Sequence, residues 1–463
     1  MNTPILAIDI GTTNIISIVA ANDFNNKINI LGVSKVKSEG VQKGNIVDIN
    51  LAGNCIKESV FKAMSSSGSS MDKAIVSLSG ANTKTLRSNG SVNIPSGHIT
   101  QNEIKQVLKM ALYNANIIPD YEVIHVLPIL FRVDDGSSIS NPLNMNGSRL
   151  EVVVNVITTK KTSLINIENA LRTANLEVDK FVLSGYASAM STLENDQKKL
   201  GSVVINLGGS TSQLVVYKDS TIIYNDFLPM GSEHITNDIS VMLHTPYSAA
   251  NMVKKQYGTL LPNKDEDNEQ NIKKVKLPLL GNETETKEIS LDQIQPILHA
   301  RIEEILSLIH DRLIEGGVID NIDGGVILTG GMTLIPGVKE LASMIFTTLP
   351  VKISNPKNIQ NGYVDFNDPT MSTIVGLLLY ELSNNEGFEL DSNGEIKTRI
   401  EVNVNKSSNT QEETPVVKQK IELPTNNQNG ISEIGTIKEK QEQKDEEKPK
   451  IMNKLFSKIS RWI

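Results

Sequence analysis

Asp9, Gly11, Thr12, Thr13 and Asn14 form one compact polar cluster, and Asn206, Gly208, Gly209, Ser210 and Thr211 repeat its design later in the chain. Glycine and small hydroxyl residues leave backbone N–H groups bare, and a turn built from them can cradle phosphate oxygens. Asp9 adds a hard anionic oxygen, which suits magnesium held through its bound water. Alone, the same aspartate would equally serve to cap its own turn. One Gly/Thr turn carries little, because such turns close many hairpins. Two copies, with a third Gly turn at Gly330-Gly331-Met332, point to a ligand clamped between two phosphate hairpins.

The elements around the clusters repeat as well. Ile5 to Ile10 and Ile15 to Val19 are apolar runs flanking the first turn; Val203 to Leu207 and Leu214 to Tyr217 flank the second. Apolar runs separated by Gly/Ser/Thr read as β-hairpins. A polar turn follows each hairpin (Asn22-Asp23, Lys218-Asp219), and then a third apolar run (Ile28 to Val33, Thr221 to Leu228). The pattern predicts a duplicated domain.

Between about Leu86 and Ile157 the sequence predicts a small α+β unit of order strand–helix–strand–strand–strand. Its helix starts at the capping box Thr100-Gln101-Asn102-Glu103, and its last three strands are expected at Glu122–Leu127, Ile129–Asp134 and Arg149–Ile157. Gly231 to Tyr257 reads as largely helical. Gly258 to Glu288 reads as a polar surface excursion, and Leu291 to Leu313 as a long helix with apolar residues at helical spacing.

Composition narrows the function classes. The chain has 463 residues and a net charge of −8, and no basic block covers its body, so nucleic acid is not an expected partner. A single cysteine, Cys55, excludes a disulfide framework and is expected in the core. Met1-Asn2-Thr3-Pro4 lacks the basic start of a signal peptide. No apolar run approaches the roughly 20 residues that span a bilayer. His125 and His234 are expected in ordinary polar roles, and Lys254-Lys255 on a solvated face, with a partner site as the alternative reading.

From Ser383 to Pro449 polar residues dominate and aromatics nearly vanish, which predicts a disordered linker with an end-to-end distance of about 45 Å. The last fourteen residues differ. Met452, Leu455, Phe456, Ile459, Trp462 and Ile463 fall on one helical stripe, with Lys454, Lys458 and Arg461 off it. A helix of this length is roughly 20 Å long. Basic residues beside Trp and Phe predict an amphipathic helix lying in the membrane interface.

Together these motifs resemble the actin-like ATPase superfamily, whose members share two phosphate hairpins, two connecting helices and a Gly-rich adenosine turn. The matching stretches are Asp9 to Asn14, Asn206 to Gln213 and Gly324 to Gly337, with connecting helices at Tyr186 to Leu193 and Thr373 to Leu382. Within it, the chain is most similar to the FtsA family of bacterial cell-division proteins. Gly40 to Asp48, His125 to Pro128, Asn141 to Glu151, Thr236 to Ile239 and Leu328 to Gly337 carry that resemblance.

The resemblance implies an α/β, actin-like duplicated fold with an inserted small α+β subdomain, then a disordered linker and a C-terminal amphipathic helix. The implied boundaries are 1–85 (1A), 86–157 (1C), 158–230 (2A), 231–315 (2B), 316–383 (2A/1A completion), 384–449 (linker) and 450–463 (membrane helix). It implies ATP and magnesium between the halves, self-assembly into filaments, and anchoring of FtsZ filaments to the cytoplasmic face of the membrane at the midcell septum. Subdomain 2B resembles the part that receives the FtsZ C-terminal peptide, and other division proteins are implied partners. The nucleotide residues implied are Gly11, Thr12, Thr13, Asn14, Asn206, Gly208, Gly209, Ser210, Thr211, Gly330, Gly331 and Met332, with Asp9 on the catalytic and magnesium side.

The chain departs from the family at Asn206, Gln213 and Ser184, where acids are usual, and no cation stands between Asp9 and Ala20. Each missing charge in a desolvated cleft removes on the order of 2–4 kcal/mol of transition-state stabilisation. The expectation is a nucleotide-dependent adaptor with at most weak ATPase activity. An actin-like pilus-assembly platform protein and a superfamily small-molecule kinase are the alternative readings; a kinase needs the acids that are missing here.

Overall fold

A computed structural model describes residues 3–24, 27–261, 274–357, 359, 366–382 and 388–398. The last stretch, Lys450 to Ile463, and most of the expected linker lie outside the described residues. The contacts gather residues Met1–Val402 into one unit.

The chain opens with β1 (Ile5–Ile10), β2 (Asn14–Asn22) and β3 (Ile28–Lys37), then the short ribbon β4 (Val41–Gln42) and β5 (Asn45–Ile46). Helix α1 (Ile49–Ser67) follows, with Asp48 accepting from the Leu51 N–H as its N-cap. It stops at Gly68, whose φ of 65° few other residues adopt. Next come β6 (Lys73–Leu78), β7 (Thr83–Asn93), α2 (Gln101–Asn114), β8 (Tyr121–Val133), β9 (Arg149–Lys160), α3 (Lys161–Arg172), β10 (Glu177–Leu183), α4 (Ser184–Thr192) and α5 (Asn195–Leu200). The capping box at Thr100 and Glu103 is formed.

The second half repeats the opening with β11 (Ser202–Leu207), β12 (Ser212–Lys218) and β13 (Thr221–Leu228). Helices α6 (Ser232–Met242) and α7 (Tyr247–Tyr257), strands β14 (Lys274–Leu279) and β15 (Asn282–Ser290), and α8 (Gln295–Glu315) follow. The chain then forms β16 (Val326–Thr329), α9 (Val338–Ile345), β17 (Val351–Ile353), α10 (Ser372–Leu382), β18 (Phe388–Leu390) and β19 (Ile396–Thr398).

The duplication is carried in strand order. One sheet runs β3-β2-β1-β6-β10 and the other β13-β12-β11-β16-β17. In each, three antiparallel strands are extended by two parallel ones. Helices α4 and α10 lie between the sheets. Their Ala187, Met190, Ile374 and Leu378 share one apolar core with Ile18 of the first sheet and Val204 and Ile327 of the second.

Three readings of the sequence are corrected. The expected strands Glu122–Leu127 and Ile129–Asp134 are one strand, β8, with register shifts at Val123/His125 and Pro128/Leu130. Pro128 has no N–H for the ladder, and a bulge accommodates it. The excursion expected over Gly258 to Glu288 contains the β14–β15 hairpin, in which Leu277 and Ile289 are buried. The expected linker from 384 onward contains β18 and β19. Residue Leu390 pairs with Val126 of β8, giving the sheet order β19-β18-β8-β9-β7. Phe388 and Leu390 enter the core of that sheet beside Phe131. Three apolar residues in eleven, Phe388, Leu390 and Ile396, were too few to read as strand, but they join a core that already exists.

Candidate functional site: two facing glycine turns

Each half's first hairpin closes in the same way. The Gly11 N–H donates to the Asn14 carbonyl at 3.1 Å, and the Gly208 N–H to the Thr211 carbonyl at 2.9 Å. A Cβ on Gly11 would lie 2.7 Å from the Asn14 oxygen, and one on Gly208 would lie 2.8 Å from the Thr211 oxygen. Both turns therefore require glycine at their first position.

The structure brings the two turns into contact. The Ser210 N–H donates to Thr12 Oγ1 at 3.1 Å. The Lys43 N–H, from the β4–β5 turn, donates to Ser210 Oγ at 3.0 Å. Gly209 leaves room for both threonines, since a Cβ there would lie 2.3 Å from Thr13 Oγ1 and 2.6 Å from Thr12 Oγ1. The carbonyls of Gly208 and Gly209 accept the Ser232 and Glu233 N–H groups, seating the start of α6 on the second turn.

Asp9 is the penultimate residue of β1, just before the first turn. Ser77 Oγ on β6 donates to Asp9 Oδ1 at 2.7 Å, and the Ile10 N–H donates to Ser77 Oγ at 3.0 Å. Burial pushes the Asp9 carboxyl up to about 6, against the opposing pull of the Ser77 hydroxyl. It is a weaker anion than its position in the motif implied.

The three positions that lack acids are joined in neutral networks. Ser184 Oγ at the start of α4 lies 2.8 Å from Gln213 Oε1 and 3.0 Å from the Leu78 carbonyl. A hydroxyl has one proton, so both contacts are satisfied together when the Gln213 amide presents its NH2 to Ser184. The Asn206 NH2 donates to Ser188 Oγ at 2.8 Å and to Thr373 Oγ1 at 3.2 Å. Asn206 thus ties its strand to both connecting helices, a donation that a carboxylate cannot make.

The third turn lies beside the second. Gly330 has φ 91°, and a Cβ there would lie 2.4 Å from Asn206 Oδ1. Gly331 is open, with the Thr370 methyl 3.6 Å from its Cβ position. The Met332 side chain is fully buried in the second half's core, so only its backbone is available to a ligand.

Two further residues are tied to the turns, Glu233 directly and Lys254 through the start of α6. Glu233 Oε1 lies 3.5 Å from Thr13 Oγ1, and its carboxyl is raised by burial, partly offset by Lys254. Lys254 is not on a solvated face. It is buried, donates to the Ser232 carbonyl at 2.8 Å and Thr236 Oγ1 at 2.7 Å, and burial lowers it to about 8. Its spacing from Ala249, Ala250 and Val253 on α7 is the one sequence signal that marks it as inward-facing.

Residues 203–376 match the family model of the cell division protein FtsA, and residues 80–158 match that of the SHS2 domain inserted in FtsA. A cell division protein FtsA of Helicobacter pylori (strain ATCC 700392 / 26695) is 34% identical over 422 residues, covering 85% of each chain. This chain belongs to the FtsA family. The FtsA of Bacillus subtilis (strain 168) is 32% identical over 382 residues, covering 82% of this chain and 83% of that one. Among solved structures, a PilM–PilN type IV pilus biogenesis complex has a TM-score of 0.58 at 14% identity, covering 83% of this chain and 100% of that one. MreB5 of Spiroplasma citri bound to ADP has a TM-score of 0.50 at 16% identity, covering 82% and 96%. The FtsA-family chain therefore has an actin-like fold. Among its described residues no group of three or more His, Cys, Asp or Glu is gathered for a metal, and no helix is long and apolar enough to cross a membrane.

Proposed function

We propose that this FtsA-family chain is a division adaptor that binds ATP between its two glycine turns, associates with further copies, and anchors FtsZ filaments at the midcell septum. The membrane contact is assigned to Lys450–Ile463, on the cytoplasmic face, through Met452, Leu455, Phe456, Ile459, Trp462 and Ile463, with Lys454, Lys458 and Arg461 toward lipid headgroups. The FtsZ C-terminal peptide is assigned to 231–315.

The observation that carries the nucleotide reading is the contact of the two turns, Gly11–Asn14 and Gly208–Thr211, across the cleft. Backbone N–H groups, the hydroxyls of Thr12, Thr13, Ser210 and Thr211, and the absent Cβ atoms fit a phosphate chain. Bound ATP would supply the negative charge that holds the two turns together. Asp9 would hold magnesium through water, and burial pushes that carboxyl up to about 6. Asn206, Gln213 and Ser184 accept and donate hydrogen bonds but carry no charge to orient or deprotonate a water. The reading is therefore a structural nucleotide, turned over very slowly or not at all.

Two measurements test this. Full-length protein should sediment with anionic liposomes while a chain ending at Pro449 stays in solution; equal sedimentation removes the anchor. ATP should bind without multiple turnover, and turnover on the usual enzyme scale of about 1–1000 per second that Asp9→Ala abolishes would overturn the structural-nucleotide reading.

A further inference from the structure

The β18–β19 hairpin crosses from the inserted sheet to the core between the two large sheets, and it does so with polar side chains. The Tyr186 hydroxyl, on α4, donates to Glu389 Oε2 at 2.8 Å, and both residues are buried. His125 Nε2 accepts the Leu183 N–H at 3.1 Å, so the ring's proton sits on Nδ1, which faces Glu389 Oε1 at 3.9 Å. Tyr380 on α10 completes the group, with its ring 6.0 Å from Tyr186 and 5.9 Å from His125, edge to face.

The hairpin's other end is tied as firmly. Lys397 Nζ donates to Glu381 Oε2 at 2.6 Å and lies 3.8 Å above the Tyr380 ring. Glu381 also accepts from Lys180 Nζ at 3.0 Å. The Phe181 N–H donates to Ser392 Oγ at 3.1 Å, and Asn393 Nδ2 donates to the Asp179 carbonyl at 2.9 Å. Eleven residues thus join β8, β10, α4 and α10.

Tyr186 sits on α4 between Ser184 and Ser188. Those two serines hold Gln213 and Asn206, which flank the second glycine turn. We propose that Phe388–Thr398 is a strap that sets the second phosphate hairpin, with Glu389 as a positioning residue acting through Tyr186 and helix α4. Without the Tyr186 hydroxyl, a buried carboxyl group loses a donor, and the polar group relaxes by moving α4 or the strap. Movement of α4 slides Ser184 and Ser188 against strands β11 and β12. The strap is also the last described element before the sequence that carries Lys450–Ile463.

The test is backbone hydrogen exchange on the full chain without nucleotide, comparing wild type with Tyr186→Phe and Glu389→Gln. Tyr186→Phe should speed exchange over 206–213 about tenfold, with 9–14 in the first hairpin unchanged. Glu389→Gln keeps an acceptor oxygen for Tyr186 and should give a smaller rise in the same segment, so it decides the matter if Tyr186→Phe does not fold. Acceleration confined to 388–398, or spread evenly over both hairpins, overturns the strap. The consequence for ATP rests on the nucleotide reading above: Tyr186→Phe should weaken ATP at least threefold. Absence of ATP binding by wild type sinks that reading alone, because the exchange pattern still decides the strap.

Discussion

The Ser210 N–H donates to Thr12 Oγ1 across the cleft at 3.1 Å, joining residues 198 positions apart in sequence. A phosphate chain entering between the turns must take over both groups. The contact is possible because Gly209 has no Cβ. Gly209→Ala places a methyl within 2.6 Å of both Thr12 and Thr13 hydroxyls and wedges the turns apart. ATP affinity should fall at least about tenfold, or roughly 1.4 kcal/mol, while chemical-denaturation stability shifts by less than about 1 kcal/mol. Unchanged affinity, measured with a fluorescent ATP analogue, would place the nucleotide elsewhere.

Asp9 gives a pH signature. An acid whose pKa is raised on folding holds its proton more tightly in the folded chain. Its contribution to stability is complete below the unfolded value near 3.8 and is lost as pH rises through about 6. Asn at this position keeps an acceptor for the Ser77 hydroxyl and removes the buried charge. In nucleotide-free protein with EDTA, Asp9→Asn should be more stable than wild type at pH 7.5, by on the order of 2–3 kcal/mol. The gap should close by pH 4. A variant less stable than wild type at pH 7.5 would show that the carboxylate is stabilised where it stands.

The fold was legible because its signals are local. Apolar runs broken by Gly/Thr turns fix both hairpins, and a third run after each fixes both meanders. The turn glycines are visible for the same reason: Gly11 and Gly208 are forced by atoms three residues away. What stayed hidden are charged residues whose partners are distant in sequence. Lys254 donates to Thr236 eighteen positions back, and Glu389 accepts from Tyr186 203 positions back. Read singly, such residues indicate solvent, and so did the stretch containing β18 and β19. The role of Asn206 was hidden differently. The letter shows the lost charge, but only the positions of Ser188 and Thr373 show what the amide gained.

Gly376 marks where the connecting helices meet backbone to backbone. A Cβ there would lie 1.8 Å from the Ala187 oxygen and 2.2 Å from its carbonyl carbon. Neither atom belongs to a side chain that can turn away. Gly376→Ala must separate α10 from α4 and open the core between the sheets, at a cost above about 3 kcal/mol. Gly331→Ala is the control, because its nearest neighbour is 3.6 Å away. Denaturant midpoints of the two variants check this, and equal midpoints would contradict the close crossing.

Asn206→Asp separates the structural from the chemical role of this position. The Asn206 NH2 donates to Ser188 and Thr373. A carboxylate donates nothing, so both hydroxyls must turn toward it. Ser188 Oγ then releases the Ser184 carbonyl, which it now serves at 2.8 Å. Without nucleotide, the variant should lose about 1–2 kcal/mol of stability at pH 7, and less at low pH, where the new acid takes up a proton and regains a donor. With magnesium and ATP the sign reverses, because the added charge lies next to the second turn and supplies an anionic ligand for the hydrated ion. Thermal melts with and without magnesium-ATP should therefore show a larger ligand-induced rise in the variant than in wild type. An unchanged melt without nucleotide would mean the amide does not hold the helices. A smaller ligand-induced rise would mean the position faces phosphate rather than metal, since a new carboxylate repels phosphate oxygens.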